Sequence, residues 1–534
     1  MSQTGTQSEH HGPEMAGLSA LGLSATGRVF WNLGTAALCE RAVARGEARL
    51  TDTGALVVTT AQGAAPGRYL VREAGEDGAG QTGAGGDIAL LPRQTFETLK
   101  ADLLAHAGSR TLFGQEAQAD AGPGRRVALR VLSEQAWHAL LARNLLPAPD
   151  AAADTGAAGA DNGPHLTILC APSFRPDAER HGLGPAGAIA IDLDNGLALV
   201  AGTARSEAIR EALFIFLADR LAGRGVLALR GAVTHGPAGD VALFLGTSGA
   251  GKTALAGYCA QAPVGDGALA WQSEGVFVLE TGAYARPADR LHPPEAAPGF
   301  GAVLENIAVD PDTRVPDFAD AASAALARAI APAGPDRRGG SLGAPTHLFM
   351  LVQDRLGVLP PIARLSPEQA LYHFLSGYGA GGTGETPEAA FAPGFAAAEL
   401  PGTTDIQGRL LRDLLAAHAP TCWLVNTGWV GGQAGSGRRV PLETSRRLVD
   451  AALAGELAAG EWRTDAHFGF AVPTALEDVD PRLLDPARAW PSQIEHGVAA
   501  RRLAGLFGAH FARFETAFGE GVRGAQPGMA MAAE

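Results

Sequence analysis

Apolar and polar positions follow two rhythms along the chain, and each predicts a different element. Residues 165–172 (HLTILCAP) and 188–193 (AIAIDL) are short apolar runs bounded by turn residues, as buried strands are. Residues 207–222 (EAIREALFIFLADRLA) place their apolar side chains at helical spacing. Residues 133–144 (SEQAWHALLARN) read as a helix capped by Ser133, within a mixed strand-and-helix block over 87–146. From Val226 onward, runs such as VLAL and DVALFLG alternate with turns and helical segments. That order predicts an α/β or mixed core rather than a helix bundle. Residues 73–86 (EAGEDGAGQTGAGG) and 147–164 (PAPDAAADTGAAGADNGP) lack apolar periodicity and read as loop insertions. Residues 1–27 and the stretch from 521 to 534 read as loose tails.

Composition narrows the class. The chain has 534 residues, 46% of them hydrophobic, which excludes a wholly disordered chain and provides for a large core. A formal net charge of −14 argues against a sequence-independent nucleic-acid binder while leaving room for one local basic pocket. Cys39, Cys170, Cys259 and Cys422 are widely spaced, with no C-x-x-C pair, which suits a reducing compartment. Neither a signal peptide nor an 18-residue apolar run is readable, so the expectation is a cytoplasmic enzyme or binding protein with no membrane partner.

The sharpest chemical signal is Gly246-Thr247-Ser248-Gly249-Ala250-Gly251-Lys252-Thr253, which fits G-x-x-x-x-G-K-[ST] at every defined position. A strand candidate (DVALFL, 240–245) precedes it and a helical segment (TALAGYCA, 253–260) follows. Glycines there let backbone N–H groups wrap phosphates at a helix N-terminus. Lys252 would reach the β/γ-phosphates of ATP and the Thr253 hydroxyl would ligate Mg²⁺. Further on, Val264-Gly265-Asp266-Gly267 is either a short strand ending in a metal-orienting carboxylate or an ordinary Asp-Gly turn.

Around this loop the chain resembles the ATP-dependent phosphoenolpyruvate carboxykinase family. The likeness covers most of 29–515 through VFWNLGTAAL, LTDTGALVV, AWHALLARN, GVFVLETGAYA, ENIAVDPDTR, GVLPPIARLSPEQALYHFLSGY, WLVNTGWVGG and FGFAVPT. It implies a two-lobed α/β fold, with an N-terminal lobe over 28–225 and a P-loop nucleotide-binding lobe over 226–520. The family reaction decarboxylates oxaloacetate and phosphorylates the enolate with ATP, Mg²⁺ and Mn²⁺. The resemblance implies nucleotide-half roles for Lys252, Thr253, Asp266 (the first acid of the family's pair), Arg314 (in DPDTR, a phosphoryl contact) and Arg439 (a nucleotide contact).

The substrate half departs from the pattern. The family's T-G-R-S-P-K-D segment is replaced by TTAQGAAPGRY. Arg205 stands for a tyrosine and Arg210 for a lysine. Glu211, Arg230 and Gly267 stand where the Mn²⁺ ligands lysine, histidine and aspartate belong, so that site reads as lost. Either Arg230 replaces the metal's charge with Glu211 orienting it or acting as a base, or the two form a structural ion pair. The leading expectation is ATP-dependent transfer to a small-molecule or protein acceptor other than oxaloacetate. The parent oxaloacetate reaction and a non-catalytic nucleotide-binding protein are the alternatives.

Overall fold

The computed structural model describes residues 22, 27–60, 64–73, 88–149, 165–286, 298–318, 327–331, 340–380, 389–396, 403–523 and 525–527. Most of the two inserted segments and of both tails therefore lies outside the described residues, as does 381–388 of the Gly-rich segment after LSGY.

Three sheets organise the described residues. An eight-stranded sheet runs in the order Val29–Trp31, Leu112–Asp120, Arg126–Ser133, Leu166–Ala171, Leu197–Ala201, Ala188–Asp192, Gly67–Arg72, Ile88–Pro92. Helices Ala136–Leu145 and Ser206–Ala222 share one apolar core with it, and Arg93–Gly108 contributes to another. The 17-residue helix Ser206–Ala222 forms where its spacing predicted and buries most of its length, from Ser206 to Leu221. The helix predicted from Ser133 begins instead at Ala136. Ser133 ends a strand, and its Oγ accepts from Gln135 N (3.1 Å) and bonds to His138 Nδ1 (2.8 Å). Its hydroxyl therefore organises the turn ahead of the helix, the local competition to which serine is prone. Helix Glu515–Arg523 likewise runs past 521, where a loose tail was expected to start.

A nine-stranded sheet forms the second half. Its order is Gly275–Val278, Ala262–Gln272, Leu227–His235, Val241–Gly246, His347–Val352, Thr421–Asn426, Ile362–Leu365, Ala471–Pro473, Trp462–Thr464. The three strands Val241–Gly246, His347–Val352 and Thr421–Asn426 are mutually parallel and almost wholly buried. Strands covered on both faces read as continuous apolar runs, which is why VALFLG was legible; HLFMLV and TCWLVN have the same character. Phe244 and Phe349 stack on adjacent strands with centroids 4.9 Å apart and lock this centre.

The third sheet joins distant parts of the chain. Arg49–Leu50 pairs with Leu56–Val58, which pairs with Val303–Glu305, and the sheet continues into Arg328–Ala331 and Ala283–Ala285. Segments before residue 60 and after residue 280 thus build one layer.

After the central sheet, helix Pro367–Ser376 carries the chain toward the strand Tyr378–Ala380 beside the phosphate loop. Its start is a complete capping box: Ser366 Oγ accepts from Gln369 N (3.2 Å), and Gln369 Oε1 accepts from Ser366 N (3.0 Å). Ser366→Ala is expected to cost about 1 kcal/mol, read as a lower denaturant midpoint with unchanged oligomeric state.

Candidate active site

The three parallel strands end together, and their C-terminal ends build the site, as in open α/β sheets generally. Val241–Gly246 runs into the Gly-rich loop, His347–Val352 into Gln353, and Thr421–Asn426 into Thr427. Gln353 Nε2 donates to Gly249 O, and Thr427 Oγ1 donates to Ala250 O at 2.9 Å. Arg439 Nε donates to Thr427 O at 3.1 Å, which ties this exposed cation to the same edge. Gly251 has φ 94°, a left-handed conformation natural to glycine, and opens the helix Lys252–Tyr258. Lys252 Nζ folds back to donate to Gly246 O (2.6 Å) and Thr247 O (3.0 Å). Gly246, Thr247, Gly249, Ala250 and Lys252 are thereby gathered into one loop, with Ser248 at its turn.

Asp266 belongs to the 11-residue strand Ala262–Gln272, so Val264–Gly267 is strand and not turn. Thr253 Oγ1 donates to Asp266 Oδ2 at 2.9 Å. A hydroxyl and a carboxylate meeting beside a phosphate loop are the hard oxygen donors that Mg²⁺ prefers when it also bridges phosphates. These residues fit that cation.

The second family metal does not fit. Glu211 accepts from Arg230 Nη1 at 2.8 Å and from Arg68 Nη1 at 3.1 Å. Burial alone would raise the Glu211 carboxyl, but Arg230 and then Arg68 outweigh it and hold it below its ordinary value. Each Glu211 oxygen is thus taken by a guanidinium, and a divalent cation there would have to displace one of two fixed cations. Gly267 closes the remaining option. A Cβ there would lie 2.4 Å from Glu280 Oε2, and φ is 154°. Among the described residues, no group of three or more His, Cys, Asp or Glu could hold a metal ion.

Glu280 is the site residue that spacing did not single out. It is bound by Arg210 through Nε (3.0 Å) and Nη2, and its Oε2 also accepts from Ala268 N at 3.0 Å. Burial would raise its carboxyl, yet the Arg210 charge dominates and lowers it. Arg210 also lies 3.9 Å over the Tyr284 ring. The run GVFVLETGAYA held both partners, but only the fold brings them to Arg210 on helix Ser206–Ala222.

Arg314 is placed elsewhere than expected. It is exposed at φ 63° in the turn between Ala308–Val309 and Pro316–Asp317, with backbone bonds to Asp52 and Asp310. The cation that the structure sets against the inner cluster is Arg328, cross-strand from Glu305 and 5.8 Å from the Tyr284 ring. Glu305 is buried, accepts from Thr60 Oγ1 (2.9 Å) and from Ser206, and has its carboxyl pushed up by burial despite those bonds.

A G-x-x-x-x-G-K-T loop at the ends of parallel strands, with a Thr–carboxylate contact beside it on a two-lobed α/β scaffold, is the arrangement of an ATP-dependent phosphotransferase of the carboxykinase type. The comparisons agree: the profile described as phosphoenolpyruvate carboxykinase matches residues 27–482. The chain is similar to the phosphoenolpyruvate carboxykinase (ATP) of Methylobacterium sp. (strain 4-46), 40% identical over 549 residues and 100% of both chains. It is likewise similar to that of Mesorhizobium japonicum, 41% identical over 535 residues, 97% of this chain and 98% of the relative. The chain belongs to the ATP-dependent phosphoenolpyruvate carboxykinase family. Membership makes it an ATP-dependent phosphotransferase. The full-length matches overturn the expectation of an acceptor other than oxaloacetate, which had rested on replaced side chains alone. Among the described residues, no helix is long and apolar enough to cross a membrane.

Proposed function

We propose that the chain catalyses the reaction for which these relatives are named, converting oxaloacetate and ATP to phosphoenolpyruvate, ADP and CO₂. The carrying observation is likeness along the whole chain, 39–41% identity with relatives that share one name, combined with an intact Lys252–Thr253–Asp266 arrangement. In the reaction the C–C bond to the departing carboxylate breaks and its electron pair becomes the enolate. The enolate oxygen then takes the γ-phosphoryl group, and ADP leaves.

Phosphoryl transfer asks mainly for positioning and neutralisation of charge. The loop N–H groups wrap the phosphates, and Lys252 exchanges its loop carbonyls for phosphate oxygens. Thr253 and Asp266 would hold Mg²⁺, which would supply charge neutralisation at the phosphates. Arg439 closes the nucleotide edge through Thr427. Arg328, which shares a layer with Glu305 and Tyr284, is the cation proposed for the phosphoryl contact that the resemblance assigned to Arg314.

A coupled assay with oxaloacetate, ATP and Mg²⁺ tests the reading. Product above a Lys252→Ala control supports it, and none above that control refutes it. Asp266→Asn is expected to weaken Mg·ATP by at least about 10- to 100-fold, since even indirect changes around bound metals have effects of that size. Calorimetric titration with Mg·ATP checks the value.

A further inference from the structure

The substrate half of the crevice holds protein charge where the family resemblance expects a second metal. Arg230 lies on strand Leu227–His235, whose partner strand carries Asp266. Arg230 pairs with Ala268, and Ala232 pairs with Asp266. Directly opposed residues share a face of the sheet, so Arg230 and Asp266 are diagonal neighbours there. Arg230 thus sits one step from the carboxylate that binds Thr253. Its side chain is 28% exposed, its guanidinium packs 4.4 Å over the Phe214 ring, and it is anchored by Glu211 and, through Nη2, by Arg210 O (3.4 Å). A guanidinium does not deprotonate in proteins, so this cation is permanent.

We infer that Arg230, oriented by Glu211 and backed by Arg68, is the resident cation for the enolate, and that the chain works with only the divalent cation that accompanies the nucleotide. The chemical part rests on the carboxykinase reading above; the cation count rests on the ion-pair geometry alone. When the C–C bond breaks, negative charge collects on the enolate oxygen. Guanidinium N–H groups aimed at that oxygen supply preorganised stabilisation of the kind a metal gives elsewhere. Glu211 keeps the planar group from swinging away. Gly267 makes the exchange hard to reverse, since a side chain there would collide with the Glu280 carboxylate.

Titration of the full chain with Mn²⁺, followed by electron paramagnetic resonance, tests the count without any variant. The expected result is one Mn²⁺ per chain in the presence of ADP, with none retained tightly in its absence. Tight nucleotide-independent Mn²⁺, or two per chain with ADP, would overturn the inference. Arg230→Gln is expected to lower kcat about 10²-fold with the KM for Mg·ATP unchanged, the size seen when one oxyanion donor is removed. Added guanidinium ion should restore part of the rate of Arg230→Ala. An unchanged kcat, or a rise confined to the KM for Mg·ATP, would remove Arg230 from this role. One nucleotide-dependent Mn²⁺ without oxaloacetate turnover would refute the carboxykinase reading and leave the count standing. Two Mn²⁺ with full turnover would do the reverse.

Discussion

Lys252→Ala is expected to lower kcat by about 10³- to 10⁵-fold, the range observed when a cation is taken away from a transferring phosphoryl group. The geometry sets Lys252 apart from the Arg439 and Arg210 cations. Lys252 is tethered by two loop carbonyls, Gly246 O and Thr247 O, so its ammonium already stands inside the loop before nucleotide arrives. Arg439 is bound at the far edge to Thr427 O, and Arg210 is committed to Glu280. A coupled assay gives the rate, and calorimetry with ATP separates lost binding from lost chemistry. Retention of more than about a tenth of the wild-type kcat would contradict the assigned role.

Glu280→Ala is expected to destabilise the fold by about 3–5 kcal/mol, because it strands the Arg210 guanidinium in a buried setting. The Arg210 and Glu280 side chains are only 14% and 4% exposed. The stacking of Arg210 on Tyr284 remains but cannot offset the lost carboxylate. Replacing both partners by apolar residues should recover much of the loss, since neither charge is then left unpaired.

The pH dependence has a definite sign. The Glu280 carboxyl is held below its ordinary value, so the folded state binds its proton less readily than the unfolded chain. Its stabilising contribution is full above about pH 4.3 and is lost as pH falls through the lower folded value. Glu211 acts in the same direction. Glu305 acts in the opposite one, because burial raises its carboxyl and protonation relieves a cost of folding. Denaturation across pH 2–7 should therefore show the difference between wild type and Glu280→Ala shrinking as the solution becomes acid. A difference that stays constant would show that Glu280 is not ionised in the folded chain.

Local features were legible and paired ones were not. The phosphate loop announces itself because its glycines, lysine and threonine are consecutive, and the flanking strand and helix have their own periods. Helix Ser206–Ala222 and the buried strands were legible for the same reason. Asp266 was ambiguous because Asp-Gly serves turns as well as strands, and only pairing with Leu227–His235 decides it. Glu280 and Arg328 escaped because their importance comes from partners far away: Arg210 is 70 residues from Glu280, and Arg328 opposes Glu305 across a strand pair. Arg314 misled because a motif match carries no information on exposure, and here its turn leaves it exposed. The charge pattern of the substrate half was readable as a departure, but its meaning needed the Arg230–Glu211–Arg68 geometry.

The layer that joins Leu56–Val58 to Val303–Glu305 sets a timetable for synthesis. Thr60 and its partner Glu305 are 245 residues apart, so at about 5–20 residues per second the early strand waits roughly 12–50 s for its partner. Leu56, Val57 and Val58 are all buried in the finished fold, and until then they form an apolar segment with an open edge. A nascent chain is thus most exposed to aggregation well before its nucleotide loop's neighbouring strands are complete. Expressing the first 225 residues alone would make that interval permanent.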